Sequence, residues 1–437
     1  MRVISVSFSD IKGGAARAAY RIHKALLGAN LDARMKVWSK ASDDFTVDGP
    51  TSKLGRSLPA VRPAIGQLIQ ANFKTSNSVR HSSAWLPSGW LNSLNNSSAD
   101  ILHLHWLGCE TLTIREIGLL KKPVVWTFHD MWAFCGAEHY TDDGVDARWR
   151  TGYTSKNRPD DESGFDLNDW TWKRKQRLWK HPFHIVCPSH WLANCVRKSA
   201  LMQDRPVYVI PNPLNLECFR PIQKHLARQI LNLPQNRQLI LFGAIGGGQD
   251  SRKGSDLLFQ ALSLLQSQVW QDENSSKDQE TELIIFGESC PSKPPQIGLP
   301  IRYMGTLHDD VSLALLYSAA DVFVLPSRQD NLPNTVCEAI ACGLPVVAFK
   351  VGGTPDLVEH QFNGYLAEPY DPEHLARGIE WVLNQQENRN CLSQAARKKA
   401  ETLLDPTTVV KKYLEVYQVA LSGPNPSIKS TVQMLQP

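Results

Sequence analysis

Leu325-Pro-Ser-Arg-Gln-Asp-Asn-Leu-Pro-Asn-Thr-Val-Cys-Glu-Ala-Ile-Ala-Cys-Gly-Leu-Pro345 connects one apolar run to the next. Its order reads as strand, turn, helix, strand. Val322 to Leu325 is rich in β-formers, Asp330 sits in the turn, Pro333 fits the first turn of a helix over Thr335 to Ala341, and Pro345 to Phe349 opens another strand. Val336 and Ile340 form the packing stripe of that helix, while Asn334 and Glu338, four apart, share another stripe that can face a ligand. A carboxylate in so apolar a helix needs a partner. Ribose hydroxyls would serve, since one carboxylate accepts from two at once; a structural Glu satisfied by nearby N–H groups is the alternative.

The same alternation extends in both directions. Upstream strands are expected at Arg2 to Phe8, Arg34 to Trp38, Asp100 to His105, Val124 to His129 and His184 to Pro188. A second set covers Val207 to Ile210, Leu239 to Gly243, Leu283 to Phe286, Ile301 to Met304, Val322 to Leu325, Pro345 to Phe349 and Tyr365 to Ala367. Helical periods intervene at Ala15 to Leu27, Asp256 to Leu265, Val311 to Ser318 and Glu373 to Leu383. Such runs are the mark of parallel strands covered by helices on both faces. The spacing predicts two Rossmann-like α/β domains, 1–205 and 206–404, then a helix over 405–421 that packs back towards the first domain, and a disordered Ser/Pro-rich tail over 422–437. Lys53 to Asn96 reads as a partly helical excursion and Gln271 to Glu282 as a polar connector. Trp170 to Lys180 reads as a basic, aromatic helix. That helix either packs Trp172 and Trp179 under its charges or rests on an anionic membrane surface.

Composition narrows the class. The chain has 437 residues, 42% hydrophobic and 21% charged, with 27 Gly and 27 Pro, all ordinary for a globular protein. The 47 Lys and Arg barely exceed the 43 Asp and Glu, far from the surplus of a nucleic-acid binder, so no nucleic-acid partner is expected. Nine scattered cysteines without a C-x-x-C pair read as reduced thiols rather than a zinc site or disulfide scaffold. With no long apolar span and no secretory leader, the expectation is a cytoplasmic protein, peripheral at most to the inner face of the cell membrane.

Two further loops invite phosphate chemistry. Gly13-Gly14, between the first strand and first helix, lets a ligand approach backbone N–H groups, although G-x-G-x-x-G spacing is missing and a tight turn is the alternative. Gly246-Gly-Gly-Gln-Asp-Ser-Arg-Lys-Gly-Ser255 lacks the Gly-Lys-Ser/Thr order of a P-loop, yet Arg252 and Lys253 before a helix N-terminus would neutralise a diphosphate. His129 ends a strand, where ligands of open α/β sheets bind. His103 and His105 share one strand face and read as wall or core residues. Neither G-x-S-x-G, H-E-x-x-H nor D-x-D occurs.

The run from Asp330 to Glu338, with Ala-Ile-Ala-Cys-Gly-Leu-Pro-Val-Val after it and Gly352-Gly353-Thr-Pro-Asp-Leu-Val beyond, resembles the signature of retaining glycosyltransferases of the GT-B fold, family 4. Gly13-Gly14, Lys253-Gly254 and Ile210-Pro-Asn-Pro213 extend the likeness over roughly Met1 to Leu421. His103-Leu-His-Trp106, Thr127-Phe-His-Asp-Met-Trp-Ala133 and Pro188-Ser-His-Trp-Leu192 are similar to bacterial members that build surface polysaccharides. The resemblance implies a GT-B arrangement, two Rossmann-like domains facing across a cleft. It implies transfer of a hexosyl unit from a UDP- or GDP-linked sugar to a glycan or lipid-linked acceptor, with retention; with no D-x-D in the chain, no metal or other cofactor is expected. It assigns His129 and Asp330 to the donor sugar, Glu338 to ribose, and Gly13, Gly14, Arg252, Lys253, Asn331 and Leu332 to donor binding. Two departures stand out: Asp330 replaces the usual Glu, and Gly248 stands where the family commonly has Arg, so Arg252 is taken as its substitute. A nucleotide-sugar epimerase and a catalytically impaired nucleotide-sugar-binding protein are the competing functions.

Overall fold

The computed structural model describes residues 1–243, 250–269, 280–385 and 387–423. Most of the Gly-rich run before Asp250, including Gly248, most of the expected polar connector and most of the expected tail lie outside them. The chain divides into two compact units, Met1–Pro213 with Pro406–Pro437, and Leu214–Asp405.

In the first unit the order is β1 (Arg2–Ser9), α1 (Gly14–Gly28), β2 (Asp32–Ser39), β3 (Val47–Asp48), α2 (Lys53–Gln70), β4 (Phe73–Lys74), α3 (Leu91–Asn95) and β5 (Ile101–Leu104). There follow α4 (Ile114–Gly118), β6 (Val124–Thr127), α5 (Arg148–Thr151), β7 (Ser163–Gly164), α6 (Leu167–Leu178), β8 (His184–Cys187), α7 (His190–Lys198) and β9 (Val207–Val209). The second unit runs α8 (Lys224–Ile230), β10 (Gln238–Gly243), α9 (Ser255–Val269), β11 (Thr281–Phe286), β12 (Ile301–Tyr303), α10 (Asp310–Ala319) and β13 (Val322–Leu325). It continues through α11 (Asn334–Ala341), β14 (Val346–Phe349), α12 (Thr354–Leu357), β15 (Gly364–Ala367), α13 (Pro372–Asn384) and α14 (Arg389–Leu404). The last helix, α15 (Pro406–Ser422), returns to the first unit.

The second unit holds a parallel sheet in the order β12-β11-β10-β13-β14-β15. This is the doubly wound order, whose direction of winding reverses between β10 and β13. Both faces are dry. Leu239, Leu241, Phe323, Val346 and Ala348 pack on one side, and Ile240, Phe242, Val322, Val324 and Val347 on the other, which is why the strands read as unbroken apolar runs. The first unit's parallel sheet runs β3-β2-β1-β5-β6-β8-β9. One of its faces is closed by α15, whose Val409, Tyr413, Val416 and Tyr417 join Val3, Ile101 and Val125.

Three local expectations change. Val207–Val209 pairs with β8 in register Ile185↔Val207, so it closes the first sheet instead of opening the second, and the boundary falls after Pro213. The β6 strand ends at Thr127, leaving His129 in the bend beyond it. Pro333 is the residue that caps α11, not part of its first turn.

Candidate functional site

Ile240 and Leu241 of β10 pair with Val322 and Phe323 of β13, so the segments leaving the carboxyl ends of these two strands must run side by side. Lys253 follows β10 and Asp330 follows β13. Although 77 residues apart, Lys253 Nζ donates to Asp330 Oδ2 at 2.7 Å. The two segments are joined along their length: Arg328 N donates to Arg252 O at 2.8 Å and Arg252 Nη1 to Gln329 O at 3.1 Å. Arg328 Nη1 and Nη2 grip both carboxylate oxygens of Asp256 at 2.8 and 2.6 Å.

Two glycines permit this closeness. Gly254 has φ +67°, and a Cβ there would lie 1.9 Å from Pro326 O; Gly352 has φ +55°, and a Cβ would lie 1.9 Å from Asp330 O. Gly353 N then donates to that same carbonyl at 3.1 Å. The Gly352-Gly353 pair thus serves as a backbone seat for Asp330.

Asp330 is only 9% exposed. Burial works to raise its pKa, but Lys253, Arg252 and hydrogen bonds outweigh burial and hold the carboxyl below the usual carboxylate range. Asn331 and Leu332 are buried beside it. Glu338, 3% exposed, lies midway along α11, where its Oε2 accepts from Tyr317 Oη at 2.9 Å. Val336 and Ile340 are fully buried as the packing stripe requires, while Asn334 stays half-buried. The second unit therefore brings together Arg252, Lys253, Asp330, Asn331 and Leu332 around one strand crossing, with Glu338 on the helix that leaves it.

The first unit presents a different constellation at the corresponding ends of its strands. Gly13 caps α1 and Gly14 begins it, with open space beside Gly13. Asp10, fully buried, accepts from Ile11 N, Ala41 N and Ser42 N and so ties the segment after β1 to the segment after β2. His105, Trp106, Phe128, His129, Asp130, Trp132 and His139 line a recess beyond β5 and β6. His105 Nδ1 lies 3.3 Å from His129 Nε2. His103 is anchored to Thr127 Oγ1 at 2.8 Å and to Tyr417 Oη at 2.7 Å. Burial lowers all three imidazoles, His103 to about 3, His129 to about 4 and His105 well below its ordinary value, so they are neutral near pH 7.

Asp130 does not orient His129. Its Oδ2 meets His139 Nδ1 at 2.6 Å and Trp106 Nε1 at 2.7 Å, and its Oδ1 accepts from Trp132 N at 3.0 Å. The sequence reading missed His139, Tyr317, Asp250 and Lys175. Lys175, on α6, is fully buried. Its ammonium donates to the carbonyls of Trp132, Cys135 and Gly136 and sits 3.9 Å above the Trp132 ring. Trp172 and Trp179 are also buried, so α6 spends its aromatic side on the core. No helix among the described residues is long and apolar enough to cross a membrane.

Comparison with known proteins follows these two halves. Residues 12–217 match the family model "Glycosyltransferase Family 4" and residues 224–399 match "Glycosyl transferases group 1". The chain is 35% identical over 127 residues to the sulfoquinovosyl transferase SQD2 of Arabidopsis thaliana, covering 28% of this chain and 25% of that protein. It is 31% identical over 226 residues to a D-inositol 3-phosphate glycosyltransferase of Segniliparus rotundus, covering 49% of this chain and 47% of the other. The matched part therefore spans between a quarter and about half the length of these curated relatives. Among solved structures, Anabaena Alr3699/HepE in complex with UDP-glucose superposes with a TM-score of 0.62 at 16% identity, over 96% of this chain and 99% of that one. Sucrose-phosphate synthase from Thermosynechococcus elongatus gives 0.61 at 18% identity, over 95% and 98%. At such identities the likeness is one of fold.

Proposed function

We infer that this chain, which belongs to the glycosyltransferases of group 1 and family 4, moves a hexosyl unit from a nucleotide-diphosphate sugar to a glycan or lipid-linked acceptor with retention of configuration, in surface polysaccharide synthesis. The observation that carries this reading is the juxtaposition of Lys253, Arg252 and Asp330 at the point where the second sheet reverses its winding, with Glu338 one helix further on. Ligands of doubly wound sheets lodge at that point.

The difficult event is departure of the nucleoside diphosphate, whose negative charge grows as the glycosidic bond breaks. Lys253, Arg252 and the N-terminus of α9 are fixed before the reaction, so they stabilise that charge without reorganising. Glu338, carried inside an apolar helix, is assigned to the ribose hydroxyls. The leaving phosphate accepts the acceptor proton on the face it departs from, which leaves Asp330 and Glu338 as donor-holding groups rather than a glycosidase acid and nucleophile. His129 is assigned to the donor sugar and, being neutral, acts as a hydrogen-bond partner. Gly13 and Gly14 are assigned to the donor as backbone N–H groups. Any peripheral contact with an anionic membrane rests mainly on charge, since Lys173, Gln176 and Arg177 are exposed on α6 while Trp172 and Trp179 are buried.

The test is a nucleotide-release screen over sugar nucleotides, beginning with UDP-glucose because a relative in fold carries it, followed by Lys253→Ala and Glu338→Gln. Loss of donor affinity and turnover in both variants is expected. Full activity in both would overturn the site. An altered sugar nucleotide without transfer would identify an epimerase, and tight binding without release a protein that only binds.

A further inference from the structure

The carboxylate assigned to the sugar is already occupied. Asp330 Oδ2 is 2.7 Å from Lys253 Nζ, Arg252 is matched by Asp250 at 3.0 Å, and Arg328 by Asp256. Three cations thus face three carboxylates. A diphosphate arriving at this point meets a site whose positive charges all have counter-ions, and Asp330 lies closest to the cation it must engage.

Asp330 cannot withdraw to water. Its carbonyl is held by Gly353 N, Gly352 is pressed against its backbone, and its short side chain is buried, as are the next two residues, Asn331 and Leu332. When a phosphate takes over Lys253, the carboxylate stays in place, buried and beside a like charge. That arrangement is costly unless new donors reach the carboxylate. A sugar attached to the diphosphate brings hydroxyl donors to that position. A bare nucleoside diphosphate brings none.

We propose that Asp330 is a specificity-determining residue that sets the preference of this site for the sugar-bearing nucleotide over the free nucleoside diphosphate, by passing Lys253 to the phosphate in exchange for sugar hydroxyls. This rests on the donor-site reading and adds to it a role for the carboxylate's charge, which is held against Lys253 from a pinned backbone. The consequence for catalysis is directional. Once the sugar has left, Asp330 is again without hydroxyl donors and competes with the product for Lys253, so it favours release of the nucleoside diphosphate.

The experiment is calorimetric binding of UDP against UDP-glucose and of GDP against GDP-mannose, to the wild-type chain and to Asp330→Asn and Asp330→Glu. In the pair that binds, Asp330→Asn should tighten the free diphosphate about fivefold or more and leave the sugar form unchanged or weaker, because removing one like charge beside the phosphate is of at least that order. Asp330→Glu, which keeps the charge, should retain the wild-type preference. Equal shifts for both ligands, or weaker binding of the free diphosphate in Asp330→Asn, overturn the inference while leaving the donor site standing. A wild-type chain that binds none of the four ligands overturns the donor-site reading and the inference with it.

Discussion

The two units place their candidate residues at equivalent points, beyond the carboxyl ends of parallel strands, yet fill them with opposite chemistry. In the second unit Lys253, Arg252 and Arg328 stand against Asp330, Asp250 and Asp256. In the first, the recess beyond β5 and β6 is built of aromatic faces and of His105 and His129, whose imidazoles burial keeps neutral, and its carboxylate, Asp130, is consumed by His139, Trp106 and the Trp132 backbone. Topology fixes where a ligand can lie. What it can be is decided by the groups that line the place. A paired-charge site can exchange one counter-ion for an anionic ligand, whereas a largely aromatic one is suited to hydroxyl-rich, uncharged groups.

The largest effect expected from this contrast is Lys253→Ala, which should lower kcat/KM by about 10²-fold or more, because a preorganised positive charge is lost from the proposed diphosphate site. Steady-state kinetics alongside calorimetry checks it. A lysine in the first unit should act on stability and not on nucleotide binding. Lys175→Met removes the ammonium that satisfies three buried carbonyls, so the first unit should lose about 3 kcal/mol of stability. Binding of a nucleotide to the second unit should survive wherever the chain remains folded. If Lys175→Met impaired nucleotide binding as strongly as Lys253→Ala, the division of labour between charged and neutral regions would be wrong.

Acid should separate the units as well. Every buried histidine belongs to the first unit, and His103 is held at about 3 against an ordinary value of 6.5. Its depressed pKa contributes stability that is complete above 6.5 and declines as pH falls towards 3, because the unfolded chain takes up the proton first. By pH 5 this amounts to about 2 kcal/mol for His103 alone, or roughly 4–8 °C in the midpoint of a unit this size. The second unit's depressed carboxylates, Asp321 and Asp330, contribute above about 3.8 and lose that contribution only below it. Hydrogen exchange between pH 6.5 and 4.5 should therefore show the first unit loosening before the second; simultaneous loosening would refute the assignment of neutral imidazoles.

Much of this was legible in the residues, and the rest was hidden for identifiable reasons. The 325–345 run announced its strand, turn and helix because Pro333 and the apolar stripe of Val336 and Ile340 each act locally. What no local pattern states is which strands become neighbours. The Lys253 and Asp330 pairing needs β10 beside β13, and Val207–Val209 has the same composition whether it opens one sheet or closes the other. The α14 helix went unrecognised because its buried positions, Leu392, Ala396, Ala400 and Leu404, include two alanines and make only a faint stripe. Lys175 reads as a surface residue in any periodicity argument. Only the three carbonyls around it explain its burial, and they come from a segment about 40 residues away. The same holds for Glu338, whose need for a partner was readable but not the identity of Tyr317.

The smallest effect expected is from a chelator. A departing diphosphate requires positive charge, supplied either by a divalent ion held on carboxylates or by cations built into the chain. The chain contains no D-x-D, and among the described residues no group of three or more His, Cys, Asp or Glu is placed to share an ion. The carboxylates nearest the proposed diphosphate are already bound to Lys253, Arg252 and Arg328. A metal would have to pull Asp330 or Asp250 away from its cation and then compete with that cation for the same phosphate. Initial rates with and without chelator should accordingly agree within about twofold, measured at saturating donor. A strict metal requirement would reverse the roles, making Asp330 and Asp250 ligands of an ion and reducing Lys253 to their counter-charge. In that case Asp330→Asn should abolish turnover instead of tightening the free diphosphate, so the chelator series and the binding series must agree for the paired-charge account of the second unit to hold.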